Sequence, residues 1–372
     1  MLTTPVPVPN AIFAALQDLE PATAAAQQPW VGIGILNWNG QAYLEQFLPF
    51  LYQITYPHVR IYVIDNASTD GSVAYLKHHH PGVTVIHTGG NFGVPGGYNR
   101  GFSQMKEPYL LMLNSDVEVA PNFLEPLVEL LQSNSKIAMV QSTLLAHGNR
   151  QQFEYGGAAG GLLDVLGYAF CRGRMFGHVE QNNNQYPTQS VFWAGGACAL
   201  IRKSAYDAVG GMYEWFFMHF EEIDLCWRFQ TAGFSVWCSS QSLAWHVGGG
   251  TLSYQSPKKT YYNFKNNLVM VVRNSPTLYL LWWLPARLFL DGVAALQFLL
   301  TAERANAAAV CKAWYGFFAW WFGTPAPKFP VQKKSLIRMA PVYKRLVVFS
   351  FFVQKKRTYN QLIKKHPYIH EV

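Results

Sequence analysis

From position 30 onward, short unbroken apolar runs alternate with segments whose apolar residues recur every three to four positions. The first pattern marks strands and the second marks helices. Residues 31–36, 60–64, 83–87 and 109–113 read as strands, and residues 42–51, 72–79 and 97–105 as the helices between and after them. Strand and helix in strict alternation predict an α/β fold around a mostly parallel sheet, because each parallel pair needs a crossover. The run Tyr109-Leu110-Leu111-Met112-Leu113 is apolar throughout, as a strand covered on both faces must be, and it stops abruptly at Asn114-Ser115-Asp116-Val117-Glu118. Residues 120–250 are mixed and Gly-rich, with a helix at 123–132 and several short strands, one of them at 191–193.

The ends of the chain differ from this middle. Residues 1–29 are rich in Pro, Ala and Gln and read as a loosely ordered lead-in with one short helix near 12–19. They show no basic segment followed by a long apolar core, so no secretory leader is expected. Beyond residue 274 come long, aromatic-rich apolar stretches broken by basic residues. Residues 278–300 are long enough to span a hydrocarbon core of ~30 Å, yet they carry Arg287 and Asp291 near the middle. At 100° per residue, Arg287, Asp291, Gln297 and Thr301 fall within an arc of about 120° and leave a broad apolar face. That pattern predicts an amphipathic helix lying in a membrane interface. The competing expectation is a hydrophobic subdomain packed on the rest of the chain or on a second copy of it.

Composition sharpens this picture. Charged residues are 13% of the 372, against a typical ~25%, and aromatics are 15%. The net charge is +8, with ten Lys and Arg between Gln332 and Lys365. An apolar, basic chain suits a membrane surface and anionic partners such as nucleotide phosphates. Five cysteines without C-x-x-C spacing argue against a structural zinc site or a disulfide framework, so a reducing cytoplasm is expected.

Four clusters carry candidate chemistry. Asp116, at a strand end, is placed to hold a hard divalent cation against a diphosphate, although Asn-Ser-Asp is also good turn chemistry. Asp65, opening Asp65-Asn66-Ala67-Ser68-Thr69-Asp70-Gly71-Ser72, can accept from the N–H groups of a nucleobase, while the rest of the segment caps the next helix. The stretch from Asn91 to Gly101 brings Gly93, Asn99 and Arg100 toward a helix start, where backbone N–H groups and the guanidinium can approach a diphosphate. It lacks the G-x-x-x-x-G-K-[ST] pattern, and no G-x-G-x-x-G follows the first strand, which disfavours a nucleoside triphosphatase and a dinucleotide enzyme. In Phe216-Phe217-Met218-His219-Phe220-Glu221-Glu222-Ile223-Asp224-Leu225-Cys226-Trp227-Arg228, three acids stand beside a wall of aromatics, an arrangement that tunes carboxyl pKa values. Glu222 is the candidate for chemistry. Asp224 is a candidate for acceptor binding or for an ion pair with Arg228 four residues on. His246 closes a strand before a Gly run and is a candidate metal ligand.

Taken in order, ILNWNG at 35–40, DNASTDGS at 65–72, LNSD at 113–116 and FFMHFEEIDLCWR at 216–228, followed by His246, resemble the GT-A-fold family 2 glycosyltransferases, particularly rhamnosyltransferase-like bacterial members. The resemblance covers roughly residues 30–275. It implies a GT-A mixed sheet flanked by helices, with a nucleotide-binding half at 30–119, an acceptor half at 120–275 and a membrane-associating helical region at 276–372. It implies that Asn37, Asp65, Asn91, Gly93, Asn99, Arg100 and Ser115 hold a nucleotide-sugar donor, that Asp116 and His246 bind Mg²⁺ or Mn²⁺, and that Glu222, flanked by Glu221 and Asp224, is the general base. Gly195-Gly196-Ala197 looks like the segment lining donor sugar and acceptor. The implied reaction is an inverting transfer from a dTDP- or UDP-sugar, with rhamnose leading, to a surface glycan or lipid-linked acceptor at the cytoplasmic face of the inner membrane. Nucleic acid is not an expected partner; a second copy of the chain is a possible one. A silent GT-A-like carbohydrate-binding or scaffold protein is the alternative. The chain departs from the family in Asn114 and Ser115, in Glu221-Glu222 where Glu-Asp is usual, and in Lys265-Asn266-Asn267 where Arg-Asn is common.

Overall fold

The computed structural model describes residues 28–248, 256–324 and 333–363. The short helix expected near residues 12–19 and the basic residues Lys364 and Lys365 lie outside them. Strands β1 (Val31–Asn37), β2 (Val59–Asp65), β3 (Thr84–His87) and β4 (Tyr109–Asn114) form the parallel part of a large sheet, in the order β4-β1-β2-β3. Leu110 and Met112 of β4 join one hydrophobic core and Leu111 and Leu113 the other, so the unbroken apolar run reflects a strand buried on both faces.

Past β4 the sheet becomes mixed. After β5 (Val117–Val119), β6 (Ile137–Ala146) and β7 (Asn149–Phe153), a second sheet begins with β8 (Gly161–Asp164), β9 (Ala169–Cys171), β10 (Arg174–Met175) and β11 (His178–Val179). The chain then returns to the first sheet with β12 (Gln189–Val191), β13 (Cys198–Arg202) and β14 (Ser235–His246). β13 runs antiparallel between β4 and β6, and β14 lies parallel to β6. The strand expected at 191–193 is β12, two residues earlier.

Of the helices, α1 (Gln41–Phe47) is shorter than expected: Pro49 lacks an N–H to continue it, and Leu48–Gln53 tightens into a 3₁₀ turn. α2 (Ser72–His79) matches its expected bounds. α3 (Gly93–Phe102) begins four residues before the expected 97, since Pro95 sits in the first turn, where a missing N–H costs nothing. Two of its glycines face the sheet: a Cβ at Gly97 would meet Leu36 Cδ1 at 2.5 Å and one at Gly101 would meet Ile64 Cδ1 at 2.2 Å. After α4 (Leu124–Ser133) and α5 (Lys203–Ala208) comes α6 (Glu221–Thr231), and then the tail helices α7 (Pro257–Asn274), α8 (Thr277–Leu300) and α9 (Arg304–Gly323).

The tail is woven into the rest. Its strand β15 (Val342–Tyr343) completes the second sheet by pairing parallel to β8, and the buried Asp164 carboxylate accepts from the Val347 N–H at 2.9 Å. In α8 the expected orientation is reversed: Arg287 and Asp291 are each 1% exposed and face inward. Arg287 pairs with Asp291 at 3.2 Å and donates to the Asn267 side chain, while Trp314 Nε1 donates to Asp291 at 3.0 Å. Removing one partner of such a buried pair typically costs about 3–5 kcal/mol. The face turned outward is apolar, with Leu278 78%, Phe289 70% and Leu300 80% exposed.

Candidate active site

The carboxyl ends of β1, β2 and β4 place the first group of candidates side by side, since Asn37 stands opposite Asp65 in register. Asn37 is fully buried; its Nδ2 donates to Ser68 Oγ at 3.1 Å, and its Oδ1 has no hydrogen-bond partner. Asp65 accepts from the Ser68 N–H at 3.1 Å and faces His87 Nδ1 at 3.3 Å. Asn66 ties this edge to Asn91 at 3.2 Å and to the Gly93 carbonyl at 3.0 Å. Asn91 in turn accepts from the Gly93 N–H at 3.0 Å. Gly93 has φ +67°, and a Cβ there would stand 2.1 Å from the Phe217 carbonyl oxygen, so only glycine lets α3 start against the 217 loop.

Asn99 and Arg100 lie at the far end of α3 and turn away from this edge. Asn99 Nδ2 donates to the Met212 carbonyl at 2.9 Å, and its Oδ1 accepts from the Met212 N–H at 2.9 Å and the Tyr206 hydroxyl at 2.5 Å. Arg100 donates to both Glu214 oxygens at 3.0 Å and stacks over Phe92 at 3.6 Å. These contacts pin the 206–214 segment to α3.

The second group forms where β14 ends. β5 pairs with β14 so that His246 is opposite Val117, and this brings the ring to Asp116: Nε2 is 3.1 Å from Asp116 Oδ1 and 3.4 Å from Asn114 Nδ2. Ser115 lies between the two, beside Gly40. On the other side of the ring, Nδ1 is 3.5 Å from Glu154 Oε1. Burial alone would lower the His246 pKa, but hydrogen bonds and charge from Asp116 and Glu154 outweigh it and push it up to about 10. Two buried acids thus flank one ring, and their hydrogen bonds and charge favour its protonated form. A histidine backed by a carboxylate on its other nitrogen is the arrangement metal-ligating histidines use. Among the described residues no group of three or more His, Cys, Asp or Glu forms a metal site; the pair brought together here is Asp116 and His246, with Asn114 alongside. Glu154 was not foreseen, and only its place before Gly156-Gly157 hinted at a turn.

The third group opens α6. Glu221 and Glu222 are adjacent, and each has a buried Oε2 without a hydrogen-bond partner. Burial, with the neighbouring Glu222 charge, raises the Glu221 pKa well above the carboxylate range; burial raises Glu222 to about 7, against a smaller pull from backbone N–H groups. Glu222 is the less enclosed of the two. Asp224 is different: it is fully buried, bonded to Arg228 Nε at 2.8 Å and Asn274 Nδ2 at 2.8 Å, and 3.5 Å from Arg273. Of the roles the sequence left open for Asp224, the structure shows the ion pair with Arg228, closed over by Arg273 and Asn274. The turn at 194–197 links the second and third groups, because Asn114 N donates to the Ala197 carbonyl at 3.0 Å and Ala194 N to Cys226 Sγ on α6 at 3.5 Å.

The loop entering α6 is strained. Phe217, His219 and Phe220 have φ of 62°, 65° and 72°, each costing of order 1–3 kcal/mol for a non-glycine residue. Asn266 Nδ2 holds it by donating to the carbonyls of Phe216 at 3.0 Å, Met218 at 2.7 Å and His219 at 2.9 Å. The Lys-Asn-Asn segment was visible in the sequence, but this clamp was not.

Residues 33–210 match the family model described as Glycosyl transferase family 2. Residues 33–210 carry a family 2 glycosyltransferase domain. This glycosyltransferase is 27% identical over 280 residues to the N-acetylglucosaminyl-diphospho-decaprenol L-rhamnosyltransferase of Mycobacterium tuberculosis, covering 70% of this chain and 89% of the relative. It is 22% identical to the low-salt glycan biosynthesis hexosyltransferase of Haloferax volcanii, covering 64% of this chain and 74% of that one. Two solved structures share the glycosyltransferase's fold. GalNAc-T7 with UDP, GalNAc and Mn²⁺ has a TM-score of 0.54 at 17% identity, covering 68% of this chain and 49% of that one. The mannosyltransferase PcManGT from Pyrobaculum calidifontis, with GDP-Man and Mn²⁺, has a TM-score of 0.50 at 13% identity, covering 83% and 93%.

Proposed function

We propose that this glycosyltransferase transfers a hexose, with rhamnose the leading candidate, from a dTDP- or UDP-sugar to a lipid-linked or surface glycan, with inversion and with a divalent metal. The observation that carries the reading is Glu222: a buried carboxyl with one unpartnered oxygen and a pKa raised to about 7, joined through the 194–197 turn to the Asp116–His246 pair. A general base works best when its pKa lies near the working pH. Glu222 takes the proton of the acceptor hydroxyl as its oxygen attacks the anomeric carbon and the bond to the diphosphate breaks on the opposite face. One displacement suffices, and no side chain forms a bond to the sugar. Glu221 stays protonated and keeps the first turn of α6 from carrying two adjacent charges. Asp116 and His246 would hold Mg²⁺ or Mn²⁺, which supplies charge neutralisation for the departing diphosphate. The solved neighbours' Mn²⁺ and the mycobacterial relative's lipid-diphosphate substrate fit this reading.

Thermal melts with a panel of nucleotide sugars test it, since selective binding raises apparent stability. A dTDP- or UDP-sugar that raises Tm more with Mn²⁺ than without supports the proposal; no shift with any nucleotide sugar sinks it.

The outward face of α8 belongs to the same proposal. An apolar face, in a tail that also carries Lys333, Lys334, Arg338, Lys355 and Lys356, suits an anionic bilayer, such as the cytoplasmic leaflet. The full-length protein is expected to sediment with phosphatidylglycerol liposomes at low salt, less so at high salt, and poorly as Phe289→Lys. Wild-type protein that stays in the supernatant as a dimer would assign the face to a second copy instead.

A further inference from the structure

Lys265, on α7, is a lysine without an anion. It is 6% exposed, and its ammonium lies over three rings, 4.1 Å from the centroid of Trp215, 4.9 Å from Tyr262 and 5.0 Å from Tyr261. Among the described residues no carboxylate, hydroxyl or carbonyl accepts from its Nζ. Burial pushes its pKa down to about 8, which leaves it mostly charged at neutral pH. Ring faces attract a cation, yet they satisfy none of its three N–H donors as an oxygen anion does. The site is therefore preorganised for a ligand oxygen that carries charge.

Its surroundings say which ligand. On one side, the next residue, Asn266, clamps the strained loop that delivers Glu221 and Glu222, and Phe217 of that loop stacks on Tyr262 at 6.3 Å. On the other side stands α9, where a Cβ at Gly316 would come within 2.8 Å of the Tyr261 hydroxyl and 3.3 Å of Lys265 Cδ. Trp320 of α9 packs on Trp215 at 5.9 Å. The same helix turns Tyr315 and Phe322 outward, 79% and 83% exposed. The cage thus lies between the support of the catalytic base and an exposed apolar face. A lipid-linked diphospho-sugar has that same order of parts: apolar chain, charged linker, then the sugar whose hydroxyl must reach the base.

We propose that Lys265, with Trp215, Tyr261 and Tyr262, is the subsite for the diphosphate linker of a lipid-linked acceptor. The proposal rests on the reading of this chain as a transferase acting on such an acceptor. A compact ammonium suits this role, since it meets phosphate as a point charge from any direction, and aromatic walls take up the adjoining sugar ring and the first prenyl unit.

The test titrates full-length protein in detergent micelles with farnesyl diphosphate, farnesol and, separately, dTDP and UDP. Wild type is expected to bind farnesyl diphosphate well above farnesol. Lys265→Met should weaken farnesyl diphosphate about tenfold or more, the loss of one charge-assisted contact, with farnesol and nucleotide binding unchanged. Lys265→Arg should recover part of the loss, and Tyr262→Leu, which keeps the charge, should weaken farnesyl diphosphate and farnesol together; it also carries the test if Lys265→Met does not fold. Farnesyl diphosphate that fails to bind wild type, or binds Lys265→Met equally well, overturns the subsite. So does a parallel loss of nucleotide binding in Lys265→Met, which would make the lysine structural. If wild type binds no nucleotide, the transferase reading falls; if nucleotide binding stands while Lys265 is indifferent, only the subsite falls.

Discussion

Glu222→Gln is expected to lower kcat by at least ~10²-fold while leaving donor affinity nearly unchanged, the signature of a group that acts in the transition state rather than in binding. The substitution keeps the shape of the side chain, so the first turn of α6 and the clamp of Asn266 on the loop before it should persist. The pH profile gives an independent readout. Glu222 must be deprotonated to accept a proton, and burial raises its pKa to about 7, so log kcat/KM should rise about one unit per pH unit below neutrality and flatten above it. Glu222→Asp should retain partial activity, because the shorter acid still offers a carboxylate at the same position. Single-turnover kinetics across pH 5–9 would check this. A large kcat loss in Glu221→Gln together with near-normal Glu222→Gln would exchange the two roles, an outcome that adjacent, similarly buried carboxyls make worth measuring.

Asp116→Ala should reduce metal-dependent transfer at saturating donor by about a thousandfold or more, since the charge stabilisation a bound ion gives to a phosphoryl oxygen is worth several kcal/mol. The fold should survive: Asp116 touches His246 from one side only, and Glu154 remains on the other at 3.5 Å. Mn²⁺ binding followed by calorimetry and far-UV circular dichroism separates the two effects. Near-normal turnover in Asp116→Ala with Mn²⁺ present would show that the metal is held elsewhere or is not used.

Much of this site was legible because its residues stand where apolar runs stop. Leu113 gives way to Asn114-Ser115-Asp116, Ile64 to Asp65, and the aromatic run to Glu221-Glu222, and each break marks a sheet edge or a helix start. What was hidden depends on residues far apart in the chain. The spacing allowed an Asp224–Arg228 pair but gave no sign that Arg273 and Asn274 of α7 would close on it, and Glu154 gave no local sign that it would back His246. The second sheet was missed because its strands, two to four residues long, are too short to show a period. For α8, the periodicity revealed two faces but not which one is inside. The usual rule puts polar residues outward, and it fails here because Asn267, Tyr168 and Trp314 offer Arg287 and Asp291 partners within the protein.

The pairing of β15 with β8 also bears on how the molecule is made. Asp164 waits for the Val347 N–H, 183 residues further on, so the second sheet cannot close until residues 342–347 have been synthesised. By then α8 and α9 have already left the ribosome with their apolar faces uncovered. A premature stop between residues 324 and 342 would therefore yield not a smaller enzyme but a chain with sticky α8 and α9 present and no strand to finish the sheet, a substrate for chaperones and proteases rather than for catalysis.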